Sequence, residues 1–256
     1  MDLETFLPRR VTVVSAPARY GKTSWVAALA RRPGTVWVSC GTAHRAEELI
    51  DKALGLAGGP PRSVLVVDDC HLLGSEHRAL QRLQDAIVRG TSRTRLVLLG
   101  RPPLPFPTGP RPEGGLTTVT ERELALTPAQ VEALVAGELG EGHALLAAQV
   151  HDLTHGWPGL VSAAVEDLAA RPMLPGSADV RSTLRARHAL VPEVSAVLSG
   201  LSEDERQLLQ LVAQLGSLRV GEAPAQAAAV DGLVARRLLR RDDAADGVVH
   251  LADALG

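Results

Sequence analysis

A short apolar strand that runs straight into a glycine-lysine-threonine loop constrains this chain more than any other stretch. Val11, Thr12, Val13 and Val14 are apolar or β-branched, and Ala16-Pro17-Ala18-Arg19-Tyr20-Gly21-Lys22-Thr23 follows with the spacing of a phosphate-binding P-loop. A polyphosphate needs backbone N–H groups at close approach, an ammonium for its β- and γ-phosphates, and a hydroxyl for Mg²⁺ at a helix N-terminus. Small residues and Gly21 permit the approach, Lys22 carries the ammonium, and Thr23 carries the hydroxyl. The expected nucleotide cradle is therefore Ala16, Pro17, Ala18, Arg19, Tyr20, Gly21, Lys22, Thr23 and Ser24, with Thr23 on the metal. Ala16 stands where the pattern usually has glycine, and Arg19 puts a long cation in the loop, its side chain expected to point out of the cradle. An ordinary strand-loop-helix turn is the competing reading. The strand before and the helix expected after, with Trp25, Ala28 and Leu29 on its buried face up to Arg31, argue against it.

A second acidic strand end follows downstream. Val64-Leu65-Val66-Val67 runs into Asp68 and Asp69. A strand buried on both faces must be apolar throughout, and acids at its C-terminal end project into the crevice where ligands bind. Asp68 is expected to hold Mg²⁺, and Asp69 to orient or deprotonate an attacking water; a solvated acidic turn is the alternative. His71 reads equally as a helix-start residue without chemistry and as a γ-phosphate relay. Leu96-Val97-Leu98-Leu99 makes another apolar strand ending at Gly100-Arg101, where the arginine either reads a γ-phosphate or is a loop cation. Strands at Thr35–Ser39 and, with poor alternation, Thr117–Leu126, and helices near 44–54 and 76–88, complete an alternating pattern. Such alternation specifies an α/β fold with a doubly wound parallel sheet.

Composition narrows the class. With 45% hydrophobic and 22% charged residues over 256 positions the chain is globular and long enough to bury a core. A net charge of −2 supplies no bulk footprint for nucleic acid. Six aromatics leave the core to Leu, Val and Ala. No stretch reaches the ~18 apolar residues of a membrane span, and MDLETFLPRR lacks an apolar leader, so a cytoplasmic location and no membrane partner are expected. Cys40 and Cys70 have no metal spacing and fit a reducing compartment. Both close an expected strand, a placement that allows them to lie near each other; inert core or edge residues are the simpler reading and a functional thiol pair the other.

The sheet pattern stops near residue 126. Thr127-Pro128-Ala129-Gln130 is a capping box with proline in the first helical turn. Helices are expected at about 128–137, 142–153 and from Pro158 to about Ala170, then a linker over Arg171–Gly176 and one or two helices within 180–199. Ser202–Glu205 forms another capping box before an amphipathic helix. A short helix after Gly216, a helix from Val230 to Leu239, and a hairpin around Asp242–Gly247 describe a winged helix. Three domains are expected: 1–126 binding nucleotide, 127–176 helical and 177–256 winged-helix. Arg236, Arg237, Arg240 and Arg241 invite a DNA reading, but Asp242, Asp243 and Asp246 follow directly, so direct DNA contact is not expected.

The order of these motifs resembles the STAND-class NTPases, in particular the amino-terminal module of the maltose-regulon activator and of the large LuxR-type regulators. VSAPARYGKTS is similar to their P-loop, LVVDDCHLL to their Walker B strand and LVLLGRPPLP to their sensor strand and arginine. ELALTPAQVEAL is similar to their sheet-to-helical junction, and THGWPGL to their glycine-x-proline element. The resemblance spans nearly the whole chain. It implies an ASCE-type P-loop sheet followed by helical and winged-helix domains that close over ATP or ADP with Mg²⁺. It further implies that Pro158 packs near the adenine, Arg101 senses the γ-phosphate and His250 approaches the phosphates. The family commonly has glycine where Arg19 stands, and its helical-repeat sensor and carboxy-terminal helix-turn-helix have no counterpart here.

The function expected is an ATP-binding, slowly hydrolysing regulatory switch with Lys22, Asp69 and Arg101 in the catalytic roles. Its partners would be nucleotide, an effector on another chain or in a missing region, and a second copy in a nucleotide-dependent homo-oligomer. An AAA+-like motor or loader acting on DNA or protein is the alternative, with Arg93, Arg95 and Arg101 available as trans-acting arginines. A nucleotide-bound scaffold that does not hydrolyse is a third reading.

Overall fold

Strands that are apolar on both faces have to be buried on both faces, and the first half of the chain meets that requirement with a central parallel sheet. The computed structural model describes residues 10–41, 46–55, 64–73, 78–89, 94–106, 116–170, 195, 198–215, 217–219, 224–236, 238–242 and 247–251. The chain divides into two compact units, Met1–Pro17 with Gly21–Leu124, and Ala18–Tyr20 with Ala125–Gly256.

In the first unit β1 (Val11–Ser15), β2 (Thr35–Ser39), β3 (Val64–Asp68), β4 (Arg95–Gly100) and β5 (Leu116–Thr120) form one sheet in the order β2-β3-β4-β1-β5, every neighbouring pair parallel. All residues of β1 and β3 are buried. One face carries Val11, Val13, Leu65, Val67, Leu96 and Leu98 against α2 (Ala46–Ala53) and α3 (Arg78–Arg89), which contribute Ile50, Ala79, Leu80 and Leu83. β4 stands between β1 and β3, so its last residue, Gly100, emerges between the P-loop and the two aspartates.

Several elements differ from the sequence expectation. The helix after the P-loop, α1, covers only Lys22–Val26 and then tightens into a 3₁₀ segment over Ala27–Arg31, beginning with an Ala27 N–H to Ser24 carbonyl bond. Such i→i+3 bonds satisfy carbonyls at a helix end. The segment expected as one strand over 117–126 divides into β5 and a single helical turn, α4 (Glu121–Leu124). The Glu123 carboxylate accepts from the Thr120 backbone N–H at 2.7 Å, a capping contact that competes with continuing the strand.

The second unit holds two cores. α5 (Pro128–Leu139), α6 (Ala144–Thr154) and α7 (Pro158–Ala169) pack around Val131, Val135, Val150, Val161, Ala164 and Leu168. Thr127 caps α5 as expected: its hydroxyl accepts from Gln130 N–H at 3.3 Å, and the Gln130 side chain accepts from Thr127 N–H at 2.9 Å. Further on, α8 (Glu203–Leu215) and α9 (Pro224–Ala235) pack on a small antiparallel sheet of β6 (Ser217–Arg219), β7 (Leu239–Arg241) and β8 (Val248–Leu251), ordered β6-β8-β7. Ser217–Arg219 is thus strand where a helix was expected, because Val249 and Val248 of β8 offer it ladder partners. The helix expected over 230–239 instead ends at Ala235, and Leu239 begins β7.

Glu205 is buried and fully used. It accepts from Ser202 N–H at 2.8 Å in the capping box and from Arg236 Nε at 3.3 Å on the chain just after α9. The linker over 171–176, most of 180–199, Arg237, Asp243 and Asp246 lie outside the described residues. Among the described residues no helix is long and apolar enough to cross a membrane.

Gly156 makes a close junction in the second unit. Its φ of 72° is left-handed, its carbonyl accepts from Leu126 N–H at 2.7 Å, and a Cβ there would run into the Leu126 carbonyl oxygen. Backbone cannot swing aside as a side-chain end can. Gly156→Ala is expected to lower stability by about 3 kcal/mol, through overlap and left-handed strain together, measurable as a drop in the urea midpoint.

Candidate functional site

The carboxyl edge of the parallel sheet carries Gly21, Lys22, Thr23, Asp68, Asp69 and Arg101 among the residues that the sequence marked. Gly21, with φ of 70°, caps α1 in the left-handed region, and Trp25 N–H closes the first turn on the Gly21 carbonyl at 2.8 Å. Glycine adopts that conformation without the Cβ penalty. Ala16 is buried and its N–H bonds to the Gly100 carbonyl at 3.3 Å, which ties the loop's first residue to β4. Lys22 folds back into the loop, its ammonium donating to the carbonyls of Ala16 at 2.8 Å and Pro17 at 2.7 Å.

Across β4, the Thr23 hydroxyl donates to Asp68 Oδ2 at 2.9 Å, and the other carboxylate oxygen, Oδ1, accepts from Asp69 N–H at 2.9 Å. Asp69 itself has φ of 57°, a left-handed conformation that costs a non-glycine residue about 1 kcal/mol and that aspartate tolerates better than most. It starts the 3₁₀ turn Cys70–Leu72. Ser24 and Arg101 are exposed at this edge.

Electrostatics follow from burial. Desolvation first and then the Arg101 cation lower the Lys22 pKa from 10.5 to about 8, against the opposing charges of Asp68 and Asp69. Desolvation also raises Asp68, against the Thr23 hydroxyl and the Asp69 N–H that favour its charged form. His71 is held below its ordinary value by burial and then by Arg101, and its Nδ1 is buried with no hydrogen-bond partner among the described residues. A partly buried ammonium beside a second cation is suited to an anion, and a buried carboxylate beside a hydroxyl is suited to a hard cation. The donor set therefore fits a polyphosphate with Mg²⁺, which takes one or two protein oxygens and keeps substrate phosphates and waters. No cluster of three or more His, Cys, Asp or Glu able to hold a metal occurs among the described residues, and Mg²⁺ with nucleotide does not need one.

The loop's apex behaves differently from its flanks. Ala18–Tyr20 group with the second unit. Tyr20 is buried and stacks on Trp157, ring centroids 4.7 Å apart and planes at 28°, and Gly159 N–H donates to the Arg19 carbonyl at 3.0 Å. The sequence placed Tyr20 simply in the cradle and did not foresee this stack. The Trp-Pro-Gly run supplied the only signal, and an aromatic in a P-loop that prefers small residues was its counterpart. Arg19 is exposed, with φ of 61°, which is why glycine is usual at such a position. Pro158 opens α7 in the same neighbourhood as Gly159. His250 pairs in the ladder between Ser217 and Arg240.

No family profile and no curated protein matches the chain. Solved structures do. The Walker-type ATPase of Pyrococcus abyssi superposes with a TM-score of 0.63 at 16% identity, covering 99% of this chain and 91% of that one. The RuvB Holliday junction branch migration motor of Thermotoga maritima superposes with a TM-score of 0.51 at 15% identity, over 94% and 84%. A STAND protein with a tetratricopeptide repeat sensor from Pyrococcus horikoshii aligns over 96% of this chain and 39% of its own length, at 16% identity and a TM-score of 0.41. With the five-stranded parallel sheet and the loop after β1, the first two likenesses establish the α/β fold of a P-loop NTPase.

The Lys22 shift carries a stability signature. Its folded pKa lies below the unfolded value, so the unfolded chain binds more protons between about pH 8 and pH 10.5 and the folded state gains stability as pH rises through that window. Relative to Lys22→Met, the nucleotide-free chain should recover roughly 2–3 kcal/mol across it, read by denaturant unfolding at stepped pH. Arg19→Gly should change nucleotide affinity less than about tenfold, roughly 1.4 kcal/mol, because the side chain is exposed and its φ suits glycine.

Proposed function

We propose that this chain is an ATP-binding regulatory switch that hydrolyses slowly, a signal-transduction module of the STAND kind. The observation that carries the reading is the Thr23–Asp68 hydrogen bond of 2.9 Å beside a partly buried Lys22 ammonium, at the carboxyl edge of a parallel sheet. In this reading the backbone of Ala16–Ser24 cradles the phosphates, and Lys22 neutralises their β- and γ-oxygens. Thr23 and Asp68 hold Mg²⁺, which when bound offsets phosphate charge. Asp69 orients or deprotonates the attacking water, and Arg101 senses the γ-phosphate. Pro158 is assigned to the adenine and His250 to the phosphates on the motif resemblance, as is the winged-helix reading of α8, α9 and the β6-β8-β7 sheet.

A switch requires that ATP and ADP interact differently with two states of the protein. Lys22 and Arg101, assigned to the γ-phosphate, are the groups that would distinguish ATP from ADP in this reading. The output would pass to an effector on another polypeptide or to a second copy of the chain, with direct DNA contact not expected.

The test compares the chain with ATP and with ADP, each with Mg²⁺, by small-angle scattering and by single-turnover hydrolysis. Distinct scattering profiles and slow turnover, unchanged by DNA, are expected; identical profiles with nucleotide bound, or brisk turnover stimulated by DNA, would overturn the switch. Lys22→Ala should weaken binding of both nucleotides at least about 100-fold, and Asp69→Asn should bind ATP yet retain it unhydrolysed, as isotope-labelled nucleotide recovered from the protein would show.

A further inference from the structure

We propose that Cys40 and Cys70 form a dithiol–disulfide modification site at the carboxyl edge of the sheet, closed by a small peroxide and acting on the turn that carries Asp69. β2 and β3 run parallel, and their last register pair is Ser39 with Asp68. Cys40 follows Ser39 directly and Cys70 lies just beyond Asp69, so both thiols leave the same ends of neighbouring strands. Neighbouring strand backbones are spaced ~4.8 Å apart, so the segments that leave these two ends start side by side. The two side chains lie in one core cluster, 2% and 0% exposed, and share a hydrogen bond. Cys70 Sγ also donates to the Val67 carbonyl at 3.2 Å, which holds it over the end of β3.

The oxidant is hydrogen peroxide, a two-electron oxidant small enough to enter during local opening of the turn. The Cys40 sulfur attacks one peroxide oxygen and the O–O bond breaks. The departing hydroxide takes the Cys40 thiol proton as water, leaving Cys40 as a sulfenic acid. The Cys70 sulfur then attacks the Cys40 sulfur, the S–O bond breaks, and the hydroxide leaves with the Cys70 proton as a second water. Two thiols and one peroxide thus become one disulfide and two waters: the sulfur pair loses two electrons and the peroxide gains them. A dithiol reductant reverses the bond by exchange.

Closing the bond requires the sulfurs to approach to ~2.05 Å, well inside any hydrogen-bonded separation. β3 is held by ladder bonds on its two sides, so on the Cys70 side the movement falls on Asp69–Leu72. That turn is secured by Leu72 N–H to the Asp69 carbonyl at 2.9 Å and Leu73 N–H to the Cys70 carbonyl at 3.1 Å. It also holds Asp69, whose N–H supports the Asp68 carboxylate at 2.9 Å.

The full chain, fully reduced, is treated with hydrogen peroxide, alkylated under denaturing conditions and weighed intact, with backbone hydrogen exchange followed in parallel. The expected result is a loss of about 2 Da with no alkylated thiol, reversed by dithiothreitol, and an exchange rate at residues 69–72 changed at least about threefold while β1 is unmoved. Cys40→Ser should leave Cys70 alkylatable and the turn unaffected by peroxide. Two thiols still alkylatable after peroxide, separate oxidation of each sulfur to sulfinic acid, or a disulfide that leaves exchange at 69–72 unchanged would each overturn the proposal. Its bearing on Mg²⁺ and nucleotide rests on the switch reading; a reduced chain that bound no nucleotide would remove that reading and leave the disulfide result standing.

Discussion

The double ladder that holds β1 between β4 and β5 is the constraint on which the candidate site depends. A strand with parallel neighbours on both sides and helices over the sheet has no polar outlet except its ends, and parallel strands all place the same end at one edge. Chemistry carried by separate sequence segments therefore converges at the carboxyl edge. Thr23 after β1 and Asp68 at the end of β3 come within 2.9 Å although β4 runs between their strands. Gly100, at the end of that intervening strand, is fixed by crowding: a Cβ there would press on the Leu104 side chain and stand 3.2 Å from His71 N.

The polar groups at this edge are stable only as a set. Lys22 satisfies itself on two loop carbonyls, and Asp68 on a hydroxyl and a backbone N–H, so neither is an orphan despite burial. What burial leaves uncancelled is charge: the ammonium is held down to about 8 and the carboxylate is pushed up. Those opposed shifts are what a ligand with both negative phosphate and a divalent cation would relieve. The same logic operates in the second unit, where Glu205 is buried but engaged by Ser202 and Arg236, and where a Cβ at Gly232 would strike its carboxylate.

Legibility from sequence varied with how local the determining interaction was. The capping boxes at Thr127 and Ser202 and the apolar strands β1, β3 and β4 were read directly, since each is specified within a few residues. The elements that were misplaced depended on distant partners. Ser217–Arg219 is too short and polar to announce a strand and exists because β8 pairs with it. Thr117–Leu126 is the local exception: Glu123 stands three residues after Thr120, a Thr-x-x-Glu capping spacing that starts a helical turn and ends the strand. The Tyr20–Trp157 stack joins residues far apart in the chain, so neither ring was legible as the other's partner.

The sequence by itself determined the chemistry available: a phosphate loop of defined spacing, two aspartates closing an apolar strand, an arginine closing another, and a change of pattern near residue 126. These follow from periodicity and residue type, which are local properties of the chain. Only the tertiary structure decided which of those groups meet. It interposed β4, drew Thr23 onto Asp68, turned Tyr20 onto Trp157 and set Cys40 beside Cys70. Strand order and side-chain partners come from how apolar faces are buried against one another, a global minimum over the whole fold that no window of residues contains.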